Sequence, residues 1–306
     1  MRSNQARRFG LVLSSFAGGL FLVASSAQAV TFTSITACGK KLAVPGDYVL
    51  ATNLNCTGVP LSGIEIAASG VRLHLAGHTL SSGDCKTVGI TVDSGITGVV
   101  VDGGTVSGFN DGISFAAADS NVTGMIVTGA CVFGIALSGS GNHVETSVVS
   151  HSGLDAIGLG RATNTQIRYN DISDNARVGV DISNFSNNNV VQYNIINRNG
   201  LVSGQGGVAI FNGAGNLVAN NALNGNFNGI ELESPGNTAQ SNVVSGSVQT
   251  GIVAISSSST VASNTVLGSS FVDLSDSSPT CSGNTWTGNT FLTAIAGSVV
   301  APACIH

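Results

Sequence analysis

Ten short segments, GIEI, GITV, GISF, GIAL, AIGL, GVDI, GVAI, GIEL, GIVA and FVDL, begin at residues 63, 89, 112, 134, 156, 179, 207, 229, 251 and 271 of a 306-residue chain. Their spacings are 26, 23, 22, 22, 23, 28, 22, 22 and 20, so the chain repeats with a period near 22. A unit this short cannot bury its apolar face alone and must stack on its neighbours. In every segment the second and fourth positions are apolar, as in Ile64 and Ile66, Ile113 and Phe115, Val180 and Ile182, Ile230 and Leu232, while the third varies freely. That alternation predicts a short strand with one buried face. A further apolar column, Val127, Val149, Ile172, Ile196, Leu223, Val244, Val266 and Trp286, predicts another strand in each repeat, and no repeat shows helical spacing.

Two residues before that column stands an asparagine: Asn170, Asn194, Asn221, Asn242, Asn264 and Asn284. Asparagine tolerates left-handed backbone, and its amide can bond to the same residue one turn above and below. An inward-facing ladder at a sharp turn accounts for a polar residue recurring among apolar ones. Two or three short strands every repeat, without helices, must coil so that each strand pairs in parallel with its equivalent. The expected fold is therefore all-β, a single-stranded right-handed parallel β-helix of about ten turns, on the order of 50 Å long at about 4.8 Å per turn. A leucine-rich repeat has a similar period, but its LxxLxL framework is absent, as is the hexapeptide rhythm of a left-handed β-helix.

With its GI-x-I and N-x-I elements and the stretch VRLHLAGHTLSSG at 71–83, the chain resembles the right-handed parallel β-helix repeat family over nearly all of residues 60–290. That group includes pectate-lyase-like and NosD-like proteins, carbohydrate-binding proteins and sugar hydrolases. The resemblance implies the fold and a carbohydrate partner, but many chemistries share the scaffold. The chain departs from the enzymes of this fold: of their NTD, DD, GHG and RIK elements it has only Gly77-His78, and QIRYN is no RIK. His78 is accordingly read as structural. The segment CGKKLAVPGDYVLATNLNC at 38–56 resembles the capping element of such proteins.

An open solenoid end exposes strand edges and core, so covers are expected at both ends. The division expected is a signal peptide over 1–29, an N-terminal cap over 30–62, the β-helix over 63–279 and a C-terminal cap over 280–306. Arg2, Arg7 and Arg8, the apolar run FGLVLSSFAGGLFLVA and the small residues Ala27-Gln28-Ala29 carry the signal reading. Six cysteines then fit an exported, secreted or periplasmic protein, with Cys38–Cys56 and Cys281–Cys304 stapling the caps and the pairing of Cys85 and Cys131 left open. After removal of the signal the net charge is 8 − 16 = −8, which argues against nucleic acid, and no later segment is long and apolar enough for a membrane helix. With 42% hydrophobic residues, the 41 glycines do not mean disorder.

Stacking turns puts the outward residues of the first strand in a column: Glu65, Thr91, Ser114, Ala136, Gly158, Asp181, Ala209, Glu231, Val253 and Asp273. Asp181 and Glu231, two turns apart across small Ala209, have backbones roughly 10 Å apart, near the upper end of the spacing in inverting glycosidases. They are the candidate acid and base, and the plain alternative is ordinary surface polarity. A second column, Glu145, Arg168, Gln192, Ala219 and Gln240, sets Arg168 beside Glu145 as an ion pair, with Arg168 also a candidate catalytic base. Tyr169 and Tyr193 should stack, offering flat faces to a sugar or merely packing one turn on the next. Arg161, Arg168, Arg177 and Arg198 fall within 38 residues, beside the long 28-residue repeat whose extra residues are placed in NRNGLVSGQGG, 197–207. Arg198, Arg161, Tyr169, Tyr193 and Glu233 are the candidate substrate-binding residues, against a solvated salt-bridge surface as the alternative. No cofactor is expected: CxxC, HExxH and EF-hand patterns are missing, and a calcium reading would rest on Asp171 and Asp174, which turn capping explains as well.

The sequence thus predicts an exported β-helix that binds, and in its catalytic version cleaves by lyase or hydrolase chemistry, an extracellular polysaccharide on the outward face of its middle turns. The rival is a non-catalytic secreted interaction protein using the same face. The sugar, its linkage and the oligomeric state are not readable from the residues.

Overall fold

A computed structural model describes residues 31–306, and the expected signal peptide lies outside the described residues. The alternating segments wind into three parallel sheets of 13, 12 and 10 strands. In one representative coil, Ile113–Phe115 belongs to sheet 1, Asn121–Thr123 to sheet 2 and Ile126–Thr128 to sheet 3. Each strand pairs with its equivalents one coil before and after: Ser114 faces Thr91 and Ala136, and Thr123 faces Asp102 and Glu145. The result is a right-handed parallel β-helix of about 11 turns, without an α-helix among the described residues.

The coil reaches further at both ends than the repeat signature does. Lys40–Leu42, Gly46–Leu50 and Leu54–Asn55 pair with Ile64–Ile66, Val71–His74 and Thr79–Ser81, so the 30–62 segment contains strands of all three sheets. At the other end Thr285–Thr287 joins sheet 2 and Ala294–Ala296 joins sheet 1, where Val299–Val300 turns back antiparallel. Backbone pairing needs only an extended chain whose N–H and C=O groups meet those of the next coil, which is why these end strands form without the GI-x-I pattern. Three disulfides are present: Cys38–Cys56, Cys281–Cys304 and Cys85–Cys131, the last with its Cα atoms 5.8 Å apart.

The inward residues of the GI-x-I segments form the core, and Val180 and Ile230 have no exposed surface. The glycine that opens the pattern answers to coil spacing: a Cβ at Gly112 would stand 2.6 Å from the Gly134 carbonyl oxygen of the next coil. Asparagine ladders stand at all three corners of the coil, not one. Between sheets 2 and 3 the amides of Asn170, Asn194, Asn221, Asn242, Asn264 and Asn289 bond in succession, each Nδ2 donating to the next Oδ1 at 3.0 Å. Asn189, Asn216 and Asn237 form a second ladder, and Asn175, Asn199 and Asn226 a third.

Two assignments at the C-terminal end are corrected. Asn284 belongs to the ladder between sheets 1 and 2, where its Oδ1 accepts from the Ser259 amide, and Trp286 lies in sheet 2 opposite Val261. In sheet 1, Val253 faces Ser275 rather than Asp273: this coil keeps a uniform 22-residue offset, Thr250 to Val272 and Ile252 to Leu274, and the FVDL alignment starts two residues early. The spacing of 20 before FVDL reflects that early start, since the coil itself repeats at 22.

Candidate functional site

Along sheet 1 the outward residues Ser114, Ala136, Gly158, Asp181, Ala209 and Glu231 are in register. Three small residues in succession leave a gap above the sheet, and a cleft of about 530 Å³ opens there, lined also by Phe133, Phe211, Ser138, Asn184, Arg177 and Asp181. Phe133 reaches over the floor, since a Cβ at Gly158 would stand 3.3 Å from its ring.

Asp181 ends this floor and is not the surface carboxylate that its outward position implies: it is only 5% exposed. Arg177, from the turn preceding the strand, donates from Nη2 to Asp181 Oδ2 at 2.8 Å and from Nε to Asp155 Oδ1 at 2.7 Å, and its Nη2 also pairs with Asp155 Oδ2. Asp181 Oδ1 is buried without a hydrogen-bond partner among the described residues. Burial and the neighbouring Asp155 charge push the Asp181 carboxyl up to about 7, with Arg177 opposing.

Glu231 is likewise 5% exposed and pushed up to about 7, mainly by burial, while its Oε1 accepts from Asn228 Nδ2 at 2.9 Å. Glu233 follows it and is also raised by burial. Glu231 is not among the residues lining the cleft, and Ala209 between the two carboxyls has no exposed surface. The acid and base candidates therefore share a column but not a cavity.

Arg168 is on a different sheet. Its Nε donates to Glu145 Oε1 at 2.6 Å on sheet 2, in the expected register, and both line a separate groove with His143 and Asp119. Arg198 is bound to Asp174 through two 2.7 Å hydrogen bonds at the turn between sheets 3 and 1, which also occupies the Asp174 carboxylate that a calcium site would need. Arg161 is exposed near the end of the sheet-1 strand Ile157–Thr163, where its φ of +58° sits at a break in register. Tyr169 and Tyr193 stack with ring centroids 5.3 Å apart and planes 7° off parallel, at the turn between sheets 2 and 3. The arginine-rich stretch at 161–198 is thus distributed around the coil and does not converge on one site. Phe133, Phe211, Asp155 and the bridging role of Arg177 were not singled out from sequence; the run of small outward residues from Ser114 to Gly158 was the signal for a cleft.

The family description "Right handed beta helix region" matches residues 88–237 and again 134–300. No curated protein matches the chain in sequence. Among solved structures, the Agl-KA catalytic domain is similar with a TM-score of 0.67 at 12% identity, over 86% of this chain and 58% of that one. The A-module of the Azotobacter vinelandii mannuronan C-5 epimerase AlgE6 gives 0.67 at 15% identity, covering 83% and 80%. A tailspike protein of E. coli bacteriophage HK620, solved in complex with a pentasaccharide, gives 0.65 at 12% identity, covering 82% and 58%. The chain spans about 60% of the length of the Dettilon tailspike, another match.

Proposed function

We propose that this chain, which belongs to the right-handed β-helix family, is an exported protein that binds a neutral polysaccharide in the sheet-1 cleft. The observation that carries this reading is the cleft itself: a floor of Ser114, Ala136 and Gly158 beneath Phe133, ending at a buried carboxyl with an unpartnered oxygen. Apolar ring faces beside a few convergent polar groups are what a sugar ring requires. Sheet proteins of the same fold that bear the names of saccharide-processing proteins, and one solved with a pentasaccharide, support a carbohydrate occupant. Charge supports a neutral one. Arg177 is the only cation among the described residues lining the cleft, and it is already held by Asp155 and Asp181, so a uronate carboxylate would find no free cation to pair with. Three disulfides support export, since they persist in oxidising compartments.

A catalytic version has one specific observation in its favour. A carboxyl at about 7 is poised to give a proton to a glycosidic oxygen near neutrality. Its second carboxylate is the difficulty, because Glu231 does not line the cleft. Binding is therefore the primary reading. It is tested by calorimetry against a panel of neutral and uronate oligosaccharides: a neutral sugar should bind, and Phe133→Ala should weaken it about tenfold or more, roughly 1.4 kcal/mol. Absence of binding across the panel, or affinity indifferent to Phe133→Ala, overturns it. Turnover that Asp181→Asn abolishes while binding persists would establish the cleaving version.

A further inference from the structure

The three coils that floor the cleft also build a second groove. On sheet 2 they present Thr123, Glu145 and Arg168, in register, and with Asp119 and His143 these line a groove of about 520 Å³. Glu145 accepts from Arg168 Nε at 2.6 Å and from His143 Nδ1 at 3.1 Å. Burial acts to raise the Glu145 carboxyl, but these two bonds outweigh it and hold the group below its usual range, so it is ionised near neutrality. His143 Nδ1 must then carry the hydrogen, and its Nε2 bonds to no described residue. The Arg168 Nη groups donate to no other described residue, and the Asp119 carboxylate accepts from none. Free acceptors beside free donors are the complement of vicinal hydroxyls, each of which both gives and takes a hydrogen bond.

Cleft and groove are separated by the turn from sheet 1 to sheet 2. In the middle coil Ser138 lines the cleft and Gly141 lines the groove, three residues on and so at most about 10 Å of chain. That turn is low by necessity. Gly139 and Gly141 have φ of +90° and +69°, and a side chain at the first would run into the Ala117 carbonyl, at the second into the Asp119 carboxylate. The adjoining coils contribute Ala116 to Ala118 and Gly160, with Arg161 exposed just beyond.

We propose that a sugar chain seated in the cleft continues over this glycine ridge into the sheet-2 groove, where Asp119, His143 and Arg168 bind a further neutral ring through its vicinal hydroxyls. The inference rests on the saccharide reading of the cleft, and its test separates the two. Affinities are measured by calorimetry for disaccharides and hexasaccharides of the gluco, xylo and manno series. The hexasaccharide of the bound series should bind at least tenfold tighter than its disaccharide. Asp119→Gly, compatible with φ of +47° at that position, and Ser140→Trp, which raises the ridge, should each abolish that gain and leave disaccharide affinity unchanged. Phe133→Ala should weaken both lengths. A length gain that survives both Asp119→Gly and Ser140→Trp, or no gain at all, overturns the ridge path while the cleft stands. Failure of every oligosaccharide to bind, or indifference to Phe133→Ala, removes the cleft and the ridge path with it.

Discussion

Replacing Asn194 with alanine removes one rung from the middle of the ladder between sheets 2 and 3. Its Nδ2 donates to the carbonyls of Ile167 and Gln192 at 2.9 and 3.0 Å and to Asn221 Oδ1 at 3.0 Å, and its Oδ1 accepts from both the backbone amide and Nδ2 of Asn170 at 3.0 Å. The residue is 1% exposed, so water cannot stand in for these partners. Orphaning the buried Asn170 amide costs about 1–3 kcal/mol, and depriving the two carbonyls adds about 0.5–1.5 kcal/mol each. The expected loss is therefore roughly 2–6 kcal/mol, against a surface control, Asn212→Ala, within about 0.5 kcal/mol. Urea unfolding followed by circular dichroism reads the difference as a shifted midpoint at constant slope. If Asn194→Ala unfolds at the same urea concentration as Asn212→Ala, the ladder does not hold the coils together as argued.

Other outcomes follow from the site. The folded-state pKa values of Asp181 and Glu231, each about 7, exceed the roughly 3.9 and 4.3 of an unfolded chain, so the native state binds more protons between about pH 4 and 7 and loses stability as pH rises through that window. Asp181→Asn and Glu231→Gln should each flatten that decline in urea titrations at pH 4.5 and 7; slopes identical to wild type would contradict the burial argument. Gly158→Leu should fill the space beneath Phe133 and abolish saccharide binding, whereas retained affinity would place the sugar elsewhere. Replacing Cys281 and Cys304 with serine opens a link across 23 residues and should cost about 3 kcal/mol, localised by hydrogen exchange to the last coils; unchanged protection there would show that the bridge is dispensable.

The scaffold was legible because its rules are local. The alternation at Val180 and Ile182 or Ile230 and Leu232 reports which side faces the core, and the spacing near 22 reports which residues are vertical neighbours. Columns read this way held from Glu65 to Val253 and failed at Asp273, because FVDL begins two residues before the true equivalent of GIVA and Ser275 is the residue that faces Val253. Only one of the three asparagine ladders was read from the sequence: Asn175, Asn199 and Asn226 stand five, nine and four residues before Val180, Val208 and Ile230, so no fixed spacing marks them, and the ladder of Asn189, Asn216 and Asn237 is shorter. The site was legible in part. Asp181 stands where its column puts it, but its burial and its bond to Arg177 depend on side-chain directions that are not written in a strand pattern. The ring of Phe133 over Gly158 depends on register between coils and on a rotamer, neither of which composition or periodicity reports.

The most direct measurement is a crystal structure of the protein with the tightest-binding neutral hexasaccharide. A sugar ring over Phe133, with a hydroxyl about 2.7 Å from an Asp181 carboxyl oxygen, is the predicted result. A saccharide ordered on another face, with the cleft between Ser114 and Asp181 empty, would contradict it.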